Sequence, residues 1–282
     1  MKFLRVFAGL IVLYFLLFGG VSSMSGCKKT ETIHDTTINN IHDSTFIKDS
    51  IGDLINGLVA YYNFNGGSLK DSSNFGNEII FSNAVKAPDR FGNPDNAYAF
   101  NGVNNYMRVA NDGSLNPDNI SFFVIVKVNG FSGANCHINN ILGKGTPDDI
   151  NGYYSMRVQD SFPCGPLVDS THEFFYGSFG DNIPQGATTG ASTDTIPLQK
   201  GQWYTITFTY DGQTAKIYRE TTLISSQQKP GINLTDNAND LFIGRHESDV
   251  FPYWFNGVID EIRIYNRALP IQTIRLLNNL NN

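Results

Sequence analysis

The chain has 282 residues, and 26 acidic against 20 basic side chains give it a net charge of −6 at neutral pH. The basic residues form no stripe that could neutralise a phosphate backbone, so we expect no nucleic-acid partner. Hydrophobic residues account for 41% and aromatic residues for 13% of the sequence, which is enough apolar surface to bury a core.

The N-terminal segment has the pattern of an export signal. Lys2 and Arg5 precede an apolar run at residues 6–21, as in the charged and hydrophobic regions of a signal peptide. The run is shorter than the roughly 20 residues that a membrane-spanning helix needs. Residues 23–27, Ser-Met-Ser-Gly-Cys, resemble a bacterial lipobox, which implies a lipoprotein signal peptide at residues 1–26 and lipidation of Cys27. An ordinary signal peptide followed by an unrelated cysteine is the alternative.

The lipobox resemblance implies a protein of the bacterial cell envelope, lipid-anchored to the outer membrane and exposed at the surface. Residues 27–53 are rich in Thr, Asp, Ser and Asn and contain no apolar run that could form a core, so we predict a flexible polar tether. This segment contains a near-repeat, at residues 33–38 and 41–46. Self-association of the repeat, or metal binding by His34 and His42, are alternative roles for it.

Residues 54–282 have the pattern of an all-β domain. Runs of aromatic and β-branched residues alternate with clusters of Gly, Asn, Asp and Pro, as in short strands joined by turns. The predicted strands lie at residues 58–64, 121–128, 153–158, 174–176, 203–210, 216–219, 241–243 and 258–265. Helical spacing is clear only near the C-terminus, where Ile271, Ile274 and either Leu277 or Leu276 predict one apolar face of a short helix. The pattern therefore predicts an antiparallel two-sheet sandwich with a short C-terminal helix.

Four segments of this region match a known family in their order along the chain. The first is an opening strand at residues 57–66, and the second is the segment 99–106, which begins Ala-Phe-Asn-Gly. The third is the segment 201–212, which begins Gly-Gln-Trp, and the fourth is the closing stretch at residues 254–270. The chain thus resembles the laminin-G-like, concanavalin A-like jelly rolls. The resemblance implies a jelly-roll domain over residues 54–282 with Trp203 in its interior. It also implies a lectin-like role in carbohydrate binding, or alternatively a role in protein adhesion or surface structure.

Cys136 and Cys164 are the only cysteines after Cys27, and an exported protein folds in an oxidising compartment. We therefore predict a disulfide bond between them, which would stabilise the fold by about 3 to 4 kcal/mol. Zinc binding by Cys136, His137 and Cys164 is a competing hypothesis, although zinc sites usually have paired ligands at short spacing and the sequence offers no second cluster. A buried free thiol is the third possibility.

The family resemblance also implies one structural calcium ion. Related sandwiches hold such an ion between an acid of the last strand and oxygen ligands near the first, and Asp260, Asn65 and Asp71 match these positions. Carboxylate and amide oxygens are the ligands that calcium prefers. The alternative is that Asp260 pairs with Arg263 or Arg267 and that Asp71 makes an Asx turn.

The densest group of aromatic and planar polar residues lies just before the last predicted strand. It consists of Arg245, His246, Tyr253 and Trp254. Aromatic rings stack on the apolar faces of sugars, and arginine and histidine reach sugar hydroxyls, so we predict a ligand-binding site at these residues. The alternative is that the rings belong to the core.

The acidic residues argue against catalysis. Retaining glycosidases need two carboxyl groups about 5 to 5.5 Å apart, and the nearest candidate pair, Glu247 with Asp249, lacks the further acid of the hydrolase signature. Asp260 and Glu261 are adjacent, so a strand sends them to opposite faces. We predict no catalytic residues and a non-enzymatic module that binds a glycan or a surface protein. A glycoside hydrolase would require a remote pair, such as Glu173 with Glu247.

Overall fold

The computed structural model describes residues 52–130, 137–146, 152–160, 173–179, 190–193, 196–235 and 238–280. Residues Leu54–Asn282 form a compact unit whose buried core is drawn from its own side chains, so we expect this unit to fold independently. The predicted signal peptide, the predicted lipidation site Cys27, the predicted tether up to residue 51 and the predicted disulfide partners Cys136 and Cys164 lie outside the described residues. Among the helices of the described ranges, none is long and apolar enough to cross a membrane.

The described strands form two antiparallel sheets, one of eight strands and one of seven. In chain order they are β1 (Leu58–Tyr62), β2 (Ile79–Ser82), β3 (Val85–Ala87), β4 (Ala97–Asn101), β5 (Met107–Val109), β6 (Ile120–Gly130), β7 (Ile138–Lys144), β8 (Tyr154–Asp160), β9 (Glu173–Phe179), β10 (Gly190–Thr193), β11 (Trp203–Tyr210), β12 (Thr214–Arg219), β13 (Thr222–Gln228), β14 (Leu241–Ile243) and β15 (Asn256–Tyr265). One α-helix, α1 (Ile271–Leu280), follows the last strand in the described chain. The predicted jelly-roll sandwich with a short C-terminal helix is confirmed.

The eight-stranded sheet has the order β13-β12-β11-β6-β15-β4-β3, with β1 also paired to β15. The closing strand β15 pairs along its first half with β4, where Val258 faces Ala99, and along its second half with β1, where Ile264 faces Ala60. Its other edge pairs with β6 over almost its whole length. The first and last strands of the domain are therefore joined in one sheet.

The seven-stranded sheet has the order β10-β9-β8-β7-β14-β5-β2. Its strand β8 illustrates the alternation that builds the sandwich, because Met156 and Val158 belong to the core between the sheets. The intervening positions, Ser155 and Arg157, therefore belong to the outer face of the sheet. The two sheets thus share one apolar interior, and each presents a second face outwards.

Aromatic rings from both sheets interlock in the core between them. The ring centroid of Phe208 on β11 lies 5.9 Å from that of Phe122 on β6 and 5.1 Å from that of Phe179 on β9. Gly177 faces Phe208 so closely that a Cβ atom there would lie 2.2 Å from its ring. Each fully buried phenylalanine contributes about 1.5 to 3 kcal/mol through the hydrophobic effect. The fold therefore depends on a glycine opposite a large ring at this point.

Helix α1 packs on the outer face of the eight-stranded sheet. Ile274 and Leu277 are fully buried and form a second apolar cluster with Phe123 and Ile125, which are the outward positions of β6. The apolar spacing of the C-terminal segment thus predicts the buried face of the helix correctly. Trp203, which the family resemblance placed in the interior, is only partly buried and packs against this second cluster instead of the core between the sheets.

Candidate ligand-binding site on the seven-stranded sheet

The outer face of the seven-stranded sheet carries aromatic side chains at its β14-β5-β2 edge. On β14, Leu241 and Ile243 are fully buried between the sheets, so alternation places Phe242 on the outer face. Three further rings come from β2, from the residue before β5 and from the loop before β15. We call these four partly exposed side chains the aromatic row: Phe81, Tyr106, Phe242 and Trp254.

Tyr106 is the centre of the aromatic row. Its ring centroid lies 4.7 Å from that of Phe81 and 6.0 Å from those of Phe242 and Trp254. The planes of Phe81 and Phe242 are inclined to the plane of Tyr106 by only 33° and 32°. These separations are typical of rings in direct contact. The row is therefore a continuous apolar surface rather than a set of isolated side chains.

Arg245 sits among three of these rings. Its guanidinium carbon lies 4.7 Å from the ring centroid of Trp254, 5.3 Å from that of Tyr106 and 5.5 Å from that of Phe242. Only 7% of the residue is exposed. A guanidinium in this position is attracted by the ring faces, and the attraction is larger when water is excluded. Arg245 therefore holds the rings of the aromatic row together.

The hydrogen bonds of Arg245 go to its own loop. Its Nε donates to the carbonyl of His246 at 2.6 Å, and its Nη2 donates to the carbonyls of Glu247 and Ser248, both at 3.0 Å. The same Nη2 also donates to the carboxylate of Asp249 at 2.7 Å. The sequence predicts Arg245 as a ligand contact, and the structure does bring it beside Trp254. Its contacts make it a positioning residue for the loop and the aromatic row.

A glycine starts the loop that carries the predicted site. Gly244 has a φ of +85°, and a Cβ atom there would lie 2.3 Å from the ring of Phe100. The carbonyl of Gly244 accepts from the N–H of Phe255 at 2.9 Å, and the carbonyl of Pro252 accepts from the N–H of His246 at 2.6 Å. The loop is thus closed by backbone hydrogen bonds. Phe255, which follows the loop, is fully buried.

His246 is buried between two tyrosines. Its ring centroid lies 5.8 Å from that of Tyr153 and 5.9 Å from that of Tyr253, and 2% of the residue is exposed. Burial, together with the smaller effect of the nearby cations Arg157 and Arg245, lowers the pKa of His246 from 6.5 to about 4. The imidazole is therefore neutral at physiological pH. Among the predicted ligand-binding residues, His246 and Tyr253 are brought together, as are Arg245 and Trp254.

The hydrogen bonds of His246 identify which nitrogen carries its proton. Nδ1 accepts from the backbone N–H of Ser248 at 3.5 Å. A neutral imidazole that accepts at Nδ1 has its proton on Nε2. This Nε2 is buried and has no hydrogen-bond partner within the described part of the chain. His246 therefore presents an unused N–H donor.

Two further polar side chains lie on the neighbouring strands. Arg157 on β8 is 6% exposed, and its guanidinium carbon lies 4.7 Å from the ring centroid of Tyr176. Asn140 on β7 pairs directly with Arg157 across the strands, and its side-chain Nδ2 donates to the carbonyl of Arg245 at 2.8 Å. The Nε of Arg157 and the Oδ1 of Asn140 are buried without partners among the described residues. We call Asn140, Arg157 and His246 the polar cluster.

Sequence reasoning missed Arg157 and Asn140, and also the aromatic row except Trp254. The one usable signal is on β8, where polar residues at every second position, Ser155 and Arg157, alternate with core residues. Alternation assigns them to the outer face of a sheet. It does not say that Asn140, from another strand, lies opposite Arg157. That neighbourhood follows from strand order, which the sequence pattern does not determine.

Asp71, a predicted calcium ligand, has protein donors around its carboxylate. Its Oδ1 accepts from the N–H groups of Tyr61 and Ser73, both at 2.8 Å. Its Oδ2 accepts from the hydroxyl of Ser73 at 2.6 Å and from the N–H of Asn77 at 2.9 Å. This is the Asx-turn arrangement that the sequence leaves open as the alternative to calcium.

Asp260, the second predicted calcium ligand, is fully buried and forms an ion pair with Arg90. The pairing with Arg263 that was considered as an alternative is not observed, because Arg263 pairs with Glu261 at 2.7 Å. Asn65 begins a short 3₁₀ turn, and its N–H donates to the side chain of a neighbouring asparagine at 3.1 Å. In the described ranges, no group of three or more His, Cys, Asp or Glu residues could hold a metal ion. Calcium binding stays a prediction.

Comparison with solved structures identifies several chains of similar fold. Domain 4 of AbnA, a GH43 extracellular arabinanase from Geobacillus stearothermophilus solved with arabinotriose, superimposes with a TM-score of 0.56 at 19% identity and covers 80% of this chain and 98% of that domain. A botulinum neurotoxin type C structure, described with two interacting ganglioside molecules, gives a TM-score of 0.58 at 12% identity and covers 81% of this chain and 52% of that one. The binding domain of botulinum neurotoxin DC with rat synaptotagmin II gives 0.56 at 12% identity, covering 80% and 52%. At these identities the likeness shows the fold alone.

Sequence comparison agrees with the fold. The Fat-like cadherin-related tumor suppressor homolog of Drosophila melanogaster is 25% identical over 171 residues, which is 54% of this chain and 4% of that protein. The chain thus spans a small part of this relative. A family model of the concanavalin A-like lectin/glucanases superfamily matches residues 100–275, which is more than half of the chain. This match and the two-sheet jelly roll agree with the resemblance seen in the sequence, and the chain belongs to the concanavalin A-like lectin/glucanase superfamily.

Proposed function

We propose that the protein is a non-catalytic binding module whose ligand is a glycan and whose binding surface is the aromatic row. The observation that carries the proposal is the arrangement of Phe81, Tyr106, Phe242 and Trp254 as one partly exposed surface on the outer face of a sheet. The C–H faces of sugar rings are apolar and stack on such rings. Because Arg245 holds three of the rings in place, little side-chain freedom is lost when a ligand binds.

The structural neighbours support a glycan as the ligand. Domain 4 of the arabinanase was solved with arabinotriose, and the botulinum neurotoxin type C structure concerns gangliosides. Fold likeness alone does not carry a function, because ligand sites vary on one scaffold. The aromatic row supplies the local chemistry that the fold cannot. The two observations together favour a saccharide over other small ligands.

The acids beside the aromatic row support a module without hydrolase activity. Asp240 is engaged by Arg108 at 3.1 Å, and Asp249 by Arg245 at 2.7 Å. Glycoside hydrolysis requires two carboxyl groups that face the scissile bond together. A carboxylate that is paired with arginine rather than with a second carboxyl group does not form this arrangement. Glu173, one member of the remote pair considered above, is buried and pairs with Lys200 at 2.9 Å.

Protein adhesion is the second candidate function, and a specific observation favours it. Apolar side chains around the aromatic row are strongly exposed, with 54% for Ile80, 77% for Val250 and 52% for Phe251. Aliphatic and aromatic groups that cluster on a surface are typical of protein interfaces. A glycan ligand contacts the faces of aromatic rings and polar groups, so the exposed aliphatic side chain of Val250 is better explained by a protein partner.

The proposed cellular setting is the surface of a bacterial envelope, where a lipid on Cys27 anchors the chain to the outer membrane. The proposal is supported by the lipobox-like residues 23–27 and by the apolar run that precedes them. Stable anchoring takes more than one acyl chain, because one chain binds membranes only marginally. A polar segment between anchor and domain would leave the aromatic row accessible to ligands outside the cell.

The test uses the two tryptophans of the chain, Trp203 and Trp254. Residues Leu54–Asn282 with Trp203→Phe retain Trp254 as the single fluorescent tryptophan, which lies in the aromatic row. After a glycan-array screen in calcium and in chelator, the bound oligosaccharide is titrated into this variant. We expect saturable binding with a change in Trp254 emission, and at least a tenfold loss of affinity in Trp254→Ala.

Trp203→Ala is the matched control, because Trp203 packs against the second cluster under α1 and not in the aromatic row. It should lose stability and keep its affinity for the glycan. The proposal fails if the folded domain binds no glycan under either condition, or if Trp254→Ala binds as tightly as the unaltered protein. Release of reducing ends from the bound oligosaccharide would contradict the non-catalytic part.

A further inference from the structure

We propose that the polar cluster is an anion-binding subsite that selects saccharides carrying a carboxylate, such as a uronic or a sialic acid. The inference rests on the proposed glycan-binding function and names the chemical class of the ligand. It is carried by Asn140, Arg157 and His246, each of which has one buried polar atom without a hydrogen-bond partner among the described residues.

The charge of Arg157 is the first observation. Arg157 is 6% exposed, and no carboxylate of the described residues lies within ion-pair distance of it. Its guanidinium lies 4.7 Å from the ring centroid of Tyr176 and forms a hydrogen bond with the side chain of that residue. A buried charge is costly unless it is paired and hydrogen-bonded. A carboxylate supplied by a ligand gives Arg157 the counter-ion that the described chain does not.

The hydrogen-bonding capacity of the cluster is the second observation. The unused Nε–H of Arg157 and the Nε2–H of His246 are donors, while the unused Oδ1 of Asn140 is an acceptor. A carboxylate accepts from two donors, and a neighbouring sugar hydroxyl donates to the amide oxygen. A neutral saccharide offers hydroxyls to all three atoms but no charge to Arg157. The cluster therefore matches an acidic sugar better than a neutral one.

The polar cluster adjoins the aromatic row, so one oligosaccharide can contact both. The N–H of Asn140 donates to the carbonyl of Tyr253 at 2.8 Å, and Trp254 of the row is the next residue. Tyr253 is partly exposed, has a φ of 45° and lies against His246. Tyr253 therefore connects the polar cluster to the aromatic row. The aromatic row then binds neighbouring sugar units.

The experiment compares acidic and neutral members of two matched saccharide pairs. The pairs are tri-galacturonate with its methyl ester, and sialyllactose with lactose, measured by calorimetry with residues Leu54–Asn282. In one of the two pairs we expect the acidic member to bind at least tenfold more tightly than the neutral member. The pair that shows this preference identifies whether the carboxylate belongs to a uronic or a sialic acid. Arg157→Gln should reduce this preference to less than twofold. Arg275→Gln, which removes the same charge from an exposed position on α1, should keep it.

The outcomes separate the subsite from the proposed function. Equal affinity of the unaltered protein for both members of each pair overturns the anion subsite and leaves glycan binding intact. A preference that survives in Arg157→Gln also overturns it. Failure of every saccharide to bind removes the glycan function itself. If Arg157→Gln does not fold, Arg157→Lys takes its place. Its preference for the acidic saccharide should be at least threefold smaller than that of the unaltered protein, because lysine lacks the planar fork of donors. An unchanged preference overturns the subsite.

Discussion

His246 gives a quantitative prediction, because its burial makes folding sensitive to pH. Its pKa is lowered to about 4 in the folded protein, against an ordinary value of 6.5. In the unfolded chain the imidazole binds a proton as the pH falls below 6.5, whereas in the folded protein it stays neutral down to about pH 4. The unfolded state therefore binds more protons in this window, and folding stability rises with pH through it.

The magnitude follows from the same two values. The two pKa values differ by about 2.5, and a difference of one in pKa corresponds to about 1.36 kcal/mol. The full contribution of His246 to stability is therefore about 3 kcal/mol. It is fully present above pH 6.5 and is lost progressively on acidification towards pH 4. Between pH 7.5 and pH 5 we expect the unaltered protein to lose about 2 kcal/mol more stability than a variant without this imidazole.

The assay is urea unfolding followed by tryptophan fluorescence at half-unit steps from pH 7.5 to 5. His246→Asn keeps an acceptor for the N–H of Ser248, and His246→Phe keeps an aromatic ring between Tyr153 and Tyr253. The two variants should differ from each other in absolute stability but share the same flatter dependence on pH. Curves that stay parallel to that of the unaltered protein within about 0.5 kcal/mol would refute the buried, neutral imidazole.

Four further predictions concern other parts of the chain. In chemical denaturation, Gly244→Ala should destabilise the domain by at least about 2 kcal/mol more than Gly231→Ala. Both glycines have a positive φ, but only a Cβ atom at position 244 would clash with a ring, that of Phe100. Equal losses of stability in the two variants would contradict the clash. Asp71→Ala should lower the free energy of unfolding by about 2 to 3 kcal/mol in chelator and in calcium alike, because its partners are protein donors; a loss seen only in calcium would favour the metal. Thiol labelling of the exported, unreduced protein should leave Cys136 and Cys164 unmodified, and Cys27→Ser should abolish lipid labelling; quantitative labelling of both thiols, or persistent lipidation, would disprove these assignments.

The fold could be predicted because its signals are local and repeated. Strand-like runs such as those at β6, β11 and β15 combine apolar residues with turn clusters at both ends, and the order of four segments resembles one family. The apolar spacing of α1 predicted its buried face for the same reason. The position of Trp203 could not be predicted in this way. Its strand position assigns it to one face of a sheet, and whether that face meets the other sheet or a helix depends on the packing of α1.

The candidate site could be predicted only where its residues are neighbours in the sequence. Arg245, His246, Tyr253 and Trp254 belong to one closed loop, so their clustering in the sequence survives in the structure. Their roles did not follow from residue type. Arg245 donates to carbonyls of its own loop, and His246 is buried between Tyr153 and Tyr253. Arg157 and Asn140 reach the site through strand pairing across non-adjacent positions of the chain, which single-sequence patterns do not encode.

A comparison of two buried arginines explains why we assign a function to one face of the sandwich. Arg263 lies on the outer face of the eight-stranded sheet, and its side chain is paired with Glu261 at 2.7 Å and with the hydroxyl of Tyr61 at 3.1 Å. Arg157 on the outer face of the seven-stranded sheet is buried to a similar degree, at 6% exposure against 8%. The described residues give Arg157 the ring face of Tyr176 and a hydrogen bond with the same side chain, but no carboxylate. Buried charges are normally paired, so an arginine that receives no carboxylate from the described residues is better explained by a ligand than by stability.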